Sequence, residues 1–200
     1  MSDNRYATAG WVSIVAAILF PAGFIVGIVQ GIIGIKAFDY RGPVTGPSDL
    51  IFLTVTAIGV YALVMLRRML NERYDFHDVD LLITAAIVWN VFFQLLGIAM
   101  KLLTLAAWPV NELTITIYYL TYMVISMISI GIIDIVFAVK ILRKKELFSD
   151  LMQAYAYITL ISGASAVTVI LTPLALILVP VSFVVLGMIF LREKEEVEFV

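Results

Sequence analysis

The chain has 200 residues, 62% of them hydrophobic and 14% charged, with a mean hydropathy of +1.06. A soluble domain carries about 45–50% apolar and about 25% charged residues, and one of this size has too little interior to hide such an excess. The net charge of −2 excludes a broad basic face for nucleic acid, the absence of cysteine excludes disulfides and thiolate chemistry, and the single histidine excludes an HExxH zinc site.

Lipid is the solvent in which this composition is reasonable. An all-α, polytopic membrane bundle is therefore expected, forming a single domain over residues 1–200. The opening Met1-Ser2-Asp3-Asn4-Arg5 precedes an apolar run about twice the length of a signal-peptide core, with no small-residue cleavage site. It reads as a retained first span over 10–35, anchored at the interface by Trp11. Pro21 is expected to kink it, and Gly23, Gly27 and Gly31 recur every four residues. Such a stripe lets a second helix approach closely, either a neighbouring span or another copy of the chain.

The second span is expected over 50–66, between a turn-rich segment at 38–47 and Arg67-Arg68. The loop beyond it gathers Asp75, His77 and Asp78, a weak candidate for a divalent metal. The plainer reading is a solvated cluster balancing Arg67, Arg68 and Arg73. No other metal site and no cofactor is expected.

The third span, over 81–107, follows Asp78 and Asp80, whose carboxylates suit a helix start; Trp108-Pro109 comes after it. Asn90, Gln94, Gly97 and Lys101 stand at i, i+4, i+7 and i+11 along one helical face, and Thr104 continues the stripe. Amides turned to lipid would lack hydrogen-bond partners at a cost of several kcal/mol each. This face must meet protein or water.

The fourth span, over 112–140, is long enough to require tilt. It holds Asp134, the only carboxylate well inside an apolar stretch, on a face shared with Thr116, Met123, Met127, Ile130 and Gly131, with Tyr119 at its edge. An intramembrane acid costs about 2.5–3.5 kcal/mol on insertion scales, which makes it a functional candidate by default. Asn90 lies at similar depth and is the expected partner, together with a hydroxyl from the next span.

The remaining apolar stretch divides at Thr172-Pro173 into spans over 151–172 and 174–191, since Pro suits the first turn of a helix. Tyr155, Thr159 and Ser162 form a one-face stripe on the fifth span. Six spans result; five plus a re-entrant hairpin is the lesser option. Arg5, Arg67, Arg68, Arg73, Lys140, Arg143, Lys144, Lys145, Arg192 and Lys194 then share one face, against Lys36, Arg41 and Lys101 on the other. By the positive-inside rule both termini are cytoplasmic. Leu66-Arg67-Arg68 echoes Leu142-Arg143-Lys144, a faint hint that the second-to-third and fourth-to-fifth hairpins repeat, and six spans would also divide as three plus three of inverted topology.

There is no G-x-S-x-G elbow, no P-loop, no dinucleotide fingerprint and no pair of intramembrane aspartates, so an enzyme is not expected. Two readings remain. In the first, the chain is a small transporter, channel or ligand-binding membrane protein, using Asp134, Asn90, Gln94, Lys101, Thr159 and Ser162. In the second, it is a structural or accessory subunit in which these residues only join helices. The expected partners are the lipid bilayer and a second copy or larger membrane complex.

Overall fold

A computed structural model describes residues 4–36, 46–105, 112–169 and 171–195. Within them the chain forms α1 (Asn4–Lys36), α2 (Pro47–Tyr74), α3 (Asp80–Leu105), α4 (Glu112–Arg143), α5 (Asp150–Val167) and α6 (Thr172–Glu195). A single 3-10 turn, Lys145–Leu147, lies between α4 and α5, and the described residues contain no strand. Of the residues singled out in the sequence, Arg41 and Trp108-Pro109 lie outside the described ones. So do the surroundings of Gly31, Lys36, Thr104, Thr116 and Tyr119.

Helix is the form in which a long apolar run satisfies its own backbone hydrogen bonds without water. Length and composition identify five helices able to cross a membrane: α1, α2, α3, α4 and α6. Helix α5, expected as a sixth, is not among them. Its 18 residues rise about 27 Å, a little less than a hydrocarbon core, and include Gln153, Thr159, Ser162 and Ser165. Thr159, Ser162 and Ser165 are buried, because they lie on the face that α5 turns into the bundle beside α4 and α6, while Tyr157 and Ile161 are exposed on its other side. A face so placed can keep polar side chains that a lipid-facing one cannot.

Several helix ends differ from expectation, among them the start of α1, which lies at Asn4 rather than near 10. Helix α2 continues through Arg67-Arg68 to Tyr74, with Met69 and Leu70 fully buried beyond the arginines. A pair of cations ends an apolar stretch without breaking backbone hydrogen bonds. Helix α5 stops at Val167 rather than near 172, and Val169 in the following turn takes a positive φ of 57°. Thr172 then opens α6 with Pro173 in its first turn, as the sequence indicates.

Each helix packs on its neighbour in the chain, and α1 returns to pack on α6, so the six form a closed ring. The contacts of α3 with α2 and α4 are the sparsest in this ring. Glycines set the tightest crossings. A Cβ on Gly10 would lie 2.9 Å from the carbonyl oxygen of Gly187, and one on Gly187 as close to that of Gly10. Gly131 and Gly163 are related in the same way at 2.7 Å, bringing α4 and α5 into backbone contact. The stripe on α1 faces α2: Gly23 leaves room for Ile51 and Phe52, and Gly27 sits over Ser48. At these two positions the glycines pack internally.

One end of the ring is densely packed. Leu70, Phe76, Val79, Ile141, Met152 and Phe190 meet there, none more than 3% exposed. Polar contacts ring this core. Tyr6 donates to Glu72 at 3.0 Å, Arg68 meets Glu72 at 2.5 Å, and the Arg73 guanidinium lies 4.9 Å over the Tyr6 ring. Asp80 accepts from Arg67 at 3.1 Å and from Asn71 at 3.0 Å, while Asp78 pairs with Lys144 at 3.0 Å. The two aspartates expected to cap α3 thus tie its start to α2 and α4. At the opposite end the start of α2 is held by Gln30, which accepts from the Ser48 N–H at 3.3 Å, and by Asp49, which accepts from the Gly46 N–H at 2.9 Å.

Candidate functional site

A ring of helices leaves an axis, and the side chains facing it decide whether the axis is filled. Near the basic end it is closed by the core just described. Towards the middle, small and polar residues replace large apolar ones, and a cavity of about 380 Å³ opens. Every helix contributes to its wall: Phe20 from α1, Thr56 from α2, Asn90 from α3, Asp134 from α4, Thr159 and Ser162 from α5, and Phe183 from α6. This volume would hold on the order of ten waters.

Asp134 is placed here by the phase of α4 and by the Gly131–Gly163 crossing one turn earlier, which draws α4 and α5 together. A Cβ on Gly163 would lie 3.0 Å from the Asp134 Cβ, so the acid stands directly against the small-residue face of α5. Among the described residues no cation pairs with its carboxyl and no donor bonds to it. On its other side a void of about 30 Å³, bounded by Ile83, Ala86, Phe137 and Tyr155, leads towards the packed end. That is room for about one water. Asp134, together with Leu63, Tyr155 and Thr159, therefore lies between a large cavity and a small one.

Asn90 shares the inward face of α3 with Ile83, Ala86 and Phe93, all buried, yet is itself exposed because the bundle is hollow at its level. Its amide donates to the Ala86 carbonyl at 2.8 Å, within its own helix. Asn90 and Asp134 line one cavity without bonding directly. The expected hydroxyl stripe of α5 lies beside them: Tyr155, Thr159 and Ser162 are all buried against the cavity, and the Tyr155 hydroxyl pairs with Thr159.

The stripe on α3 does not stay in one place. Gln94, Gly97 and Lys101 line a second cavity of about 400 Å³ between α2, α3 and α4, nearer the opposite end. Lys101 pairs there with Asp49, and Gln94 accepts from Thr56 at 3.5 Å. Gly97 leaves space for the Tyr122 hydroxyl, which donates to the Phe93 carbonyl at 2.7 Å. Phe52 lines both cavities, and Thr56 lines the first while bonding to Gln94 of the second. A one-face stripe on a tilted helix meets different neighbours as it climbs, and this divides the predicted set in two.

Asp49 and Thr56 were not singled out in the sequence. Asp49 carried a signal, an acid in the first turn of a helix next to the sparsely charged face. Thr56 carried none, since a threonine in a span most often bonds its own backbone. In the loop cluster, Asp75 lies 3.3 Å and Asp80 3.4 Å from the two nitrogens of His77, while Asp78 turns to Lys144. No group of three or more His, Asp or Glu side chains placed to hold a metal ion is found there or elsewhere among the described residues.

No protein-family model, no curated protein and no solved structure matches the chain. The helices define an all-helical protein with five segments long and apolar enough to cross a membrane, and function must be argued from the cavity alone.

Proposed function

We propose that the chain is a multi-pass membrane protein that moves a proton or small cation, with Asp134 as the carrier site. One observation carries this: an acid with no charged partner among the described residues stands between a cavity of about 380 Å³ and a void of about 30 Å³. A residue kept only to join helices would meet a donor on its neighbour. Asp134 instead meets space, while Asn90, Thr159 and Ser162 offer neutral oxygens and an amide around it. Such a set suits a site that binds a cation or proton and releases it again. No catalytic chemistry is required of it.

In this reading the cavity is reached from the end opposite the basic one, and the core of Phe76, Val79, Met152 and Phe190 forms the closed side. Six crossings are part of the proposal. Tyr6 stacks on Phe190 with ring centroids 6.3 Å apart, and Ile141 belongs to the same core, so α1 starts and α4 and α6 finish at one end. Only α5 connects the end of α4 to the far-end start of α6. The excess of Lys and Arg at the shared end supports placing it, with both termini, in the cytoplasm.

The test is flux in proteoliposomes carrying the purified chain, with an imposed proton, sodium or potassium gradient and a pH- or cation-sensitive dye. Asp134→Asn is expected to abolish flux while expression and melting behaviour stay near wild type. Wild-type flux in that variant, or no flux of any of these ions with the parent chain, defeats the reading.

A further inference from the structure

The second cavity, between α2, α3 and α4, is not used by this transport reading. Its wall is mostly apolar, with Leu50, Leu53, Ile98 and Leu102 prominent. The same four side chains are among the exposed large hydrophobics, between 37% and 68% accessible. The cavity therefore opens sideways, through the sparsest helix contacts in the ring, onto the surface that would face lipid. At its far end lie both charges of the Asp49–Lys101 pair, each only about a quarter exposed (27% and 22%). One oxygen of Asp49 is occupied by the Gly46 N–H, and the other by Lys101.

That pair restricts what can enter. An anion that captured Lys101 would strand a half-buried carboxylate, and a cation that captured Asp49 would strand the ammonium. Leaving one partially desolvated charge uncompensated is costly. A zwitterion avoids this, because it offers Lys101 a negative group and Asp49 a positive one at the same time. An apolar chain attached to it would fill the rest of the cavity, whose size is that of a small-molecule site. The position fits as well: Asp49 lies in the first turn of α2 and Lys101 near the end of α3, at the level where lipid headgroups meet a spanning helix.

We propose that this cleft binds a membrane phospholipid with a zwitterionic headgroup, the headgroup at Asp49 and Lys101 and one acyl chain along Leu53 and Ile98. The proposal depends on the helices spanning a membrane but not on transport through Asp134. Ion flux is measured separately, so either idea can fail without the other.

Binding is read by native mass spectrometry of the delipidated, detergent-purified chain titrated with phosphatidylethanolamine or with phosphatidylglycerol. The wild type is expected to prefer phosphatidylethanolamine by about tenfold. Lys101→Met removes the partner of the phosphate common to both lipids and is expected to weaken both while keeping the preference, whereas Asp49→Asn removes the ammonium partner, keeps an acceptor for the Gly46 N–H and is expected to abolish the preference. Leu53→Trp fills the apolar part and is expected to weaken both lipids together. The double variant Asp49→Leu/Lys101→Met replaces the pair by apolar groups and strands neither charge, so it guards against loss of fold. Equal affinity of the wild type for the two lipids, or a retained preference in the double variant, overturns the proposal.

Discussion

At the scale of single residues, Asp134 sets function against stability. Its neighbours in the cavity do not bond to it, so removing the acid gives up no partner and removes a group that is expensive in an apolar surround. Asp134→Leu is therefore expected to raise resistance to denaturant in detergent, by roughly 1–3 kcal/mol, while eliminating flux. A lower unfolding midpoint would mean that the carboxyl holds a contact the structure does not contain. Val169 is a second residue at odds with its position. A β-branched side chain at a φ of 57° costs about 1–2 kcal/mol, so Val169→Gly should stabilise the chain by about that amount, read as a raised thermal midpoint.

At the scale of helices, glycine decides how closely neighbours approach, and not all glycines matter equally. A methyl on Gly131 would meet the Gly163 carbonyl at 2.7 Å, which backbone cannot yield to without α4 and α5 parting. Gly131→Ala should cost about 1–3 kcal/mol in a detergent unfolding titration. Gly27→Ala should be neutral or stabilising by up to about 1 kcal/mol, because its methyl would rest 3.7 Å from Ser48 while the helix gains the propensity of alanine. The sequence displayed Gly23, Gly27 and Gly31 and left Gly10, Gly163 and Gly187 unremarked. Spacing within one helix is visible in a sequence. A crossing between two isolated glycines is not, since it depends on the depth at which separate helices meet. The same limit explains the polar residues: the faces of α3, α4 and α5 were legible from periodicity, but the separation of Gln94 and Lys101 from Asn90 and Asp134 depends on which neighbours α3 passes.

For the whole molecule, the number of crossings is the open structural quantity, and it turns on α5. The absence of cysteine makes it measurable, because each introduced cysteine is the only label site in the chain. With six crossings, Asp75→Cys should react with a membrane-impermeant maleimide only from the cytoplasmic side, and Thr168→Cys only from the other. Reaction of both from one side would mean that α5 turns back within the bilayer. Hydropathy revealed helices long and apolar enough to cross a membrane, and the uneven distribution of Lys and Arg anticipated which helix ends share a face. Helix α5 departs from the other five for a physical reason: its inward face carries Thr159, Ser162 and Ser165, which lowers its mean apolarity although Tyr157 and Ile161 are exposed on its other side.

The closed ring also orders the protein's assembly in time. Its seam joins the first helix to the last, Gly10 against Gly187, so the two halves of that contact leave the ribosome almost a full chain length apart. Until α6 is inserted, the groove around Gly10, Ser13 and Ala17 has no protein to meet, and the axial cavity with Asp134 stands open along one side. The nascent chain therefore carries an unshielded acid until α6 has been made, and a copy cut short before residue 172 would present that acid to any quality-control protease that recognises unpartnered polar groups among apolar helices.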